Sequence, residues 1–233
     1  MTRHELKEQL QHDAFRDNVD LAFGYAASHR KQVIRGLAIL VAVLVIGGIS
    51  YAVYQYQKTQ RQQALGAALD VAERPVAADG TTGGKTFRNQ QAKDQAAIKA
   101  MGDVAAKYNG TDEGDAAQYY LAGLQANQGK YAEAEKNLKA VSASNSPFSA
   151  LAKVALAQLY VGQGKTPEAK ALLEPLISHP TSLVSSEQAT VLLANAVKSS
   201  DPKRAKQLLD SLKKPADRPA IERAASQSLE NVK

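Results

Sequence analysis

The chain has no cysteine, which excludes disulfides, thiolate zinc sites, cysteine nucleophiles and lipoprotein acylation. It also lacks tryptophan, and only 6% of its residues are aromatic. No aromatic-interleaved basic patch is present to read nucleic acid. Histidine is scarce. His4, His12 and His29 precede a long apolar run, and His179 lies far downstream. His4 and His12 lack the adjacent-turn spacing of a helical zinc site. His179, between Ser178 and Pro180, is predicted to sit in a turn between helices. Neither a metal nor a cofactor is expected. Serines are plentiful, yet no nucleophile elbow occurs. Glu133, Glu135 and Glu168 fall on predicted helix surfaces, where carboxylates serve solubility and dipole pairing. With no convergent acid, base or nucleophile, no catalytic residue is assigned and the chain is not expected to be an enzyme. The net charge of +6 is scattered among acidic residues along most of the chain. It implies a solvated surface, with no nucleic-acid partner.

Charge is missing altogether from Gly36 to Gln57, GLAILVAVLVIGGISYAVYQYQ. As a helix its apolar part is about 28 Å long, close to the thickness of a bilayer core. Arg30, Lys31 and Arg35 precede it, whereas Tyr51, Tyr54 and Tyr56 form an interfacial belt at its far end, followed by Lys58 and Arg61. The basic bias places the N-terminus in the cytoplasm and the C-terminal part across the membrane. A cleaved signal peptide is the competing interpretation, with Ser50 to Ala52 as a cleavage-like site. The roughly 35-residue leader and the over-long apolar core favour an uncleaved anchor. The expected domains are a cytoplasmic tail (1–33), a transmembrane helix (34–57) and a helical domain (58–233) with a flexible loop at 75–89. In the tail, Leu6, Leu10, Phe15, Val19, Leu21 and Phe23 suit either a short amphipathic helix or a solvated segment. Gly48 with Ala52 and Ala38 with Ala42 give small-residue spacings at which another membrane helix can approach.

The loop contains DGTTGGKT, Asp79 to Thr86, which ends like a phosphate-binding loop. The required first glycine is replaced by Asp79 and no strand precedes it, so nucleotide binding is not expected.

Downstream, QGKYAEAEKNL from Gln128 returns as QGKTPEAKALL from Gln163. A shift of about 35 residues is the period of stacked helical hairpins. Leu121, Leu156 and Leu192 align in the first helix of each hairpin. Ala134, Ala169 and Ala205 align in the second, followed by Leu138, Leu173 and Leu209, then Val141, Leu176 and Leu212. Small residues let paired helices approach, and leucines fill the space between pairs. Ser146-Pro147, Thr166-Pro167 and Asp201-Pro202 are predicted helix starts, each with a capping oxygen before proline. A more diverged first hairpin is expected from residues 58–73 and 90–107. The predicted fold is all-α: one N-terminal transmembrane helix followed by an α-solenoid of helical hairpins.

The small residue of the first helix (Ala122, Ala157), Tyr160 one turn later, the turn glycine (Gly129, Gly164) and the later alanine resemble the tetratricopeptide repeat. The third copy departs from it, with Ser200 for the turn glycine and Leu193 at the small position, as in a degenerate or capping repeat. The order of tail, membrane helix and repeats resembles the ancillary subunit of the bacterial Sec translocon, from YAASHRKQVIRGLAIL through YYLAGLQANQGKYAEAEKNLKAV to RAKQLLDSL. That resemblance implies a single-pass protein of the bacterial inner membrane with a periplasmic repeat domain. Its implied partners are translocon subunits, a membrane-anchored periplasmic chaperone and exported polypeptides. By analogy with the repeat's groove-facing positions, the partner-binding candidates are Tyr119, Gly123, Leu151, Val154, Gln158, Glu187 and Thr190. Mostly apolar or neutral, they suit an apolar or amphipathic segment and not a charged C-terminal tail clamped by lysines and arginines. Two other functions share this architecture: an anchored scaffold for envelope assembly or cell division, and a cytoplasm-facing docking platform.

Overall fold

The computed structural model describes residues 28–77 and 86–212. The tail before Ser28 with His4 and His12, the interior of the 75–89 loop with most of the DGTTGGKT stretch, and residues 213–233 lie outside the described residues. Among the described residues there are eight α-helices and no strand: α1 (Arg30–Glu73), α2 (Gln90–Lys107), α3 (Asp112–Asn127), α4 (Tyr131–Ser142), α5 (Phe148–Gly162), α6 (Thr166–Ser178), α7 (Ser186–Val197) and α8 (Pro202–Ser211). The chain divides into two compact units, Met1–Lys58 and Thr59–Lys233.

In the first unit α1 exposes every large apolar side chain it carries, from Val33 through Leu40, Val45 and Ile49 to Tyr56. No residue of its most apolar window is buried, and the helix is long and apolar enough to cross a membrane. Unburied side chains of this kind are not those of a soluble core helix, whose apolar residues pack inward.

The second unit begins with the last turns of α1. Ala64, Leu65, Ala68, Leu69 and Ala72 recur at helical spacing and pack with Met101 and Val104 of α2 and Ala117 of α3. The expected first hairpin therefore forms, and it shares its core with the next one. Arg61 donates from Nε to Glu113 Oε2 at 3.1 Å, linking α1 to the start of α3. The predicted loop is closed at its base: Ala77 N–H donates to the Phe87 carbonyl at 2.9 Å, and Phe87 N–H to that of Pro75 at 3.0 Å.

From α3 onward each helix packs on the next, and α3 also meets α5, as α5 meets α7. The first helices of the hairpins thus form a continuous row. The aligned residues account for it. Ala122, Ala134, Ala157, Ala169 and Ala205 are buried, as are Leu138, Leu173 and Leu209. Each leucine buried in this way contributes roughly 1.5–3 kcal/mol relative to exposure. In the third copy Leu193 is fully buried at the small-residue position, beside Ala194.

The hairpin turns explain the recurring glycine. Gly129 and Gly164 have φ of 75° and 74°, a left-handed conformation that side chains resist. Gly129 N–H donates to Ala126 and Lys130 N–H to Gln125, and the same pair recurs from Gly164 to Val161 and from Lys165 to Tyr160. Both turns are Schellman motifs that satisfy the last carbonyls of the preceding helix. The third turn is built otherwise: Ser200 has no positive φ, and both its N–H and that of Asp201 donate to Val197.

The three predicted caps fare differently. Asp201 accepts from Arg204 N–H at 3.0 Å with Pro202 at the first helical position. Thr166 instead opens α6 from within, so Lys165 is the cap residue and makes no side-chain cap bond. Ser146 is buried with its hydroxyl 3.0 Å from that of Ser144, and the cap position falls to Pro147. Pro175 lies inside α6, where its missing N–H leaves the bond to Ala171, a solvent-exposed residue, unmade.

Two hairpins are also joined by charge. Glu135 of α4 pairs with Lys139 at 2.6 Å and with Lys165 at 3.8 Å, and accepts from the Tyr160 hydroxyl at 3.1 Å. Lys165 stands 5.3 Å from the centre of the Tyr160 ring. The Lys139 hydrogen bond, aided by Tyr160, holds the Glu135 carboxyl below its usual range. A lowered folded-state value means stability that is present above the ordinary carboxylate range and lost as pH falls through it. In Glu135→Gln the unfolding midpoint in urea, followed from neutral to acid pH, is expected to decline less steeply than in the wild type; an identical slope would remove Glu135 from the acid limb.

A second expectation concerns glycines. A Cβ on Gly114 would overlap the Tyr108 carbonyl oxygen, which is backbone and cannot swing aside. Gly102, in α2, has open space around it. Gly114→Ala is expected to destabilise by about 1–3 kcal/mol, and Gly102→Ala to stabilise by about 0.5–1 kcal/mol. Thermal unfolding of both variants checks the opposite signs.

Candidate functional site

The row of first helices leaves a cleft of about 580 Å³ between α3, α5 and the first hairpin. Leu69 and Ala72 of α1 and Met101 of α2 form one wall; Tyr119 and Gly123 of α3 and Leu159 of α5 form the other. Small residues open it. Gly123 presents no side chain and has no neighbour within 4 Å of where one would stand. Tyr119 packs edge-on to Tyr120, with ring centres 5.6 Å apart, and leans on Phe148 at 6.1 Å. Burial raises the Tyr119 hydroxyl above the usual phenol value, with a further push from Tyr120. The lining carries a single charged residue, Glu73, with Asn127 and Gln158 as neutral polar neighbours. A second, smaller cleft of about 340 Å³ lies beyond Gln158, which lines both. Its lining includes Val161, Leu192 and Asn195, and its single charged residue is Lys198.

The structure brings three of the seven candidates together: Tyr119, Gly123 and Gln158 all line the larger cleft. Leu151 is half-buried and packs on the main core. Val154, 8% exposed, is part of that core. Thr190 is buried and its hydroxyl donates to the Ser186 carbonyl at 2.7 Å. Glu187 is half-buried in the first turn of α7. The residues that sequence reasoning missed are Leu69, Ala72 and Met101 on one wall, and Leu159 and Leu192 on the row itself. The signal for the first three was the apolar spacing from Ala64 to Ala72, which marks a packing face without showing that one edge of it stays open.

An apolar concavity with few polar groups is suited to holding an apolar segment, with the polar groups setting its orientation. Asn137 bridges Gln118 and Gln125 at 3.2 and 2.8 Å, fixing α4 on α3. Among the described residues no three His, Asp or Glu side chains come together as a metal site would need. His179 is exposed at the end of α6, its N–H donating to the Pro175 carbonyl.

Residues 31–180 match a family model described as a tetratricopeptide repeat-like domain, well over half of the chain. The match takes in nearly all of α1 and runs through α6. It stops before α7 and α8, the copy whose turn lacks glycine. No curated protein matches the chain.

Val154 and Gln158, one turn apart on α5, separate the core from the cleft. Val154→Glu is expected to destabilise by about 3 kcal/mol, since it buries a charge without a partner. Gln158→Glu, on an exposed residue, is expected to stay within about 0.5 kcal/mol of wild type. Chemical denaturation of the two variants tests the division.

Proposed function

The chain belongs to the tetratricopeptide repeat-like family, and on that premise we propose that it is a membrane-anchored protein-interaction module, an ancillary subunit of the Sec translocon. One observation carries this: a single helix, α1, holds the uncharged, wholly exposed stretch from Gly36 to Gln57 and a last part built into the core of the first hairpin. A chain of this kind has its repeats tethered at a membrane from their first residues. Residues 34–57 form the transmembrane helix, residues 1–33 the cytoplasmic tail, and the domain from residue 58 carries the interaction surface on the periplasmic side of the bacterial inner membrane. The basic residues before the span, Arg30, Lys31 and Arg35, favour that orientation.

The repeats bind a membrane-anchored periplasmic chaperone or exported clients and hold them near the channel. The apolar clefts favour such partners, because a polypeptide emerging from a channel exposes apolar segments that the native fold later buries. The role needs no chemistry of bond making, and the chain is accordingly not an enzyme.

Two measurements test the proposal. A reporter active only after export, fused after Lys233, is expected to be active. An inactive reporter would instead place the repeats in the cytoplasm as a docking platform. Crosslinking in intact cells, followed by purification of the full-length protein, is expected to recover translocon subunits or an anchored chaperone, and to lose them when the repeats are deleted. Recovery of division or envelope-assembly proteins without the channel would move the function to a scaffold.

A further inference from the structure

The two clefts share Gln158, and each is lined by one charged residue of opposite sign: Glu73 in the larger and Lys198 in the smaller. Among the described residues neither is in an ion pair, whereas Glu135, Glu113, Asp70 and Asp103 all are. Each cleft therefore carries one charge outside an ion pair, and Gln158, the residue the two clefts share, is neutral. We infer that one amphipathic helical segment lies across both clefts, with a basic residue at the end facing Glu73 and an acidic residue at the end facing Lys198. This rests on the proposed role of the repeats as an interaction module and adds the chemistry of what they take.

The remaining contacts suit that occupant. The apolar face of the segment meets Leu69, Met101 and Leu159 in one cleft and Val161 and Leu192 in the other, with Gln158 able to hydrogen-bond between them. Packed helices stand about 8–10 Å apart, so the row from α1, which carries Glu73, to α7, which Lys198 follows, spans about 24–30 Å, which about 16–20 helical residues cover. A segment acidic at both ends places a carboxylate against Glu73, and one basic at both ends an ammonium against Lys198; each repulsion selects against that partner. A free C-terminal carboxylate meets no cation in the larger cleft.

The absence of tryptophan simplifies the test, since the chain itself adds no indole fluorescence to that of a peptide. Three synthetic peptides of about 18 residues share one leucine and tryptophan face, have blocked termini, and carry Lys and Glu, two Lys or two Glu at their ends. Each is titrated against the full chain in lipid nanodiscs, with Gly123→Leu in identical nanodiscs as the reference. A leucine at Gly123 has open space around its Cβ and fills the cleft in a helix that tolerates it. The mixed-charge peptide is expected to bind wild type with a blue-shifted indole and to bind Gly123→Leu about tenfold more weakly. Glu73→Lys and Lys198→Glu are each expected to weaken it about threefold, and to improve the all-acidic and the all-basic peptide respectively. Equal binding of all three peptides, binding indifferent to Gly123→Leu, or no binding above empty nanodiscs would overturn the inference. Failed peptide binding alongside recovery of translocon subunits from cells overturns the occupant and leaves the translocon role standing. Binding as expected without that recovery supports the occupant and removes the role.

Discussion

Close approach between helices is the constraint on which the repeat domain depends. Ala122 faces its neighbours in one hairpin and Ala157 in the next, while Ala134, Ala169 and Ala205 do so in the second helices, all of them with essentially no exposed surface. A larger side chain there would push paired helices apart and leave Leu138, Leu173 and Leu209 without the close packing that makes their burial favourable. The turns follow from the same constraint. A short connection between helices held this close calls for a left-handed residue, which Gly129 and Gly164 supply. The clefts follow too, because a row of first helices packed through small side chains leaves space where Gly123 and Ala155 stand.

Much of this was legible in the sequence, because a period of about 35 residues exposes the packing positions as coincidences. The aligned alanines and leucines, the two turn glycines and the exposed apolar stretch are all where pattern placed them. Local chemistry was harder. Thr166 and Asp201 both precede proline, yet only Asp201 caps, since α6 begins one residue earlier relative to its proline than α8 does. Pro175 carries no sequence signal that separates a helix end from a tolerated interior site. Its place inside α6 depends on Leu173 and Leu176 being packed on either side of it.

The lining of the candidate cleft was half legible for a related reason. Position within a repeat tells which helix face a residue occupies, and Tyr119, Gly123 and Gln158, chosen that way, line the larger cleft. It does not tell how deeply that face is covered. Val154 and Thr190 lie under neighbouring helices, a fact set by how adjacent hairpins meet. The wall from Leu69 to Met101 belongs to the diverged first hairpin, which the three internally aligned copies do not include. Function stands one level further out again. The repeats fix a surface, the exposed apolar helix is long enough to cross a membrane beside it, and the chemistry of the clefts limits what lands on it.

The most direct measurement of whether this surface is what the partner meets is site-specific photocrosslinking in living cells. A photoreactive residue is placed at Gln158, which joins the two clefts, or at Ala171, exposed on the second helix of the next hairpin. The expected result is a discrete adduct with a translocon-associated or exported protein from position 158 and none from position 171. Equal adducts from both positions, or an adduct from 171 alone, would contradict the assignment of the row of first helices as the binding surface.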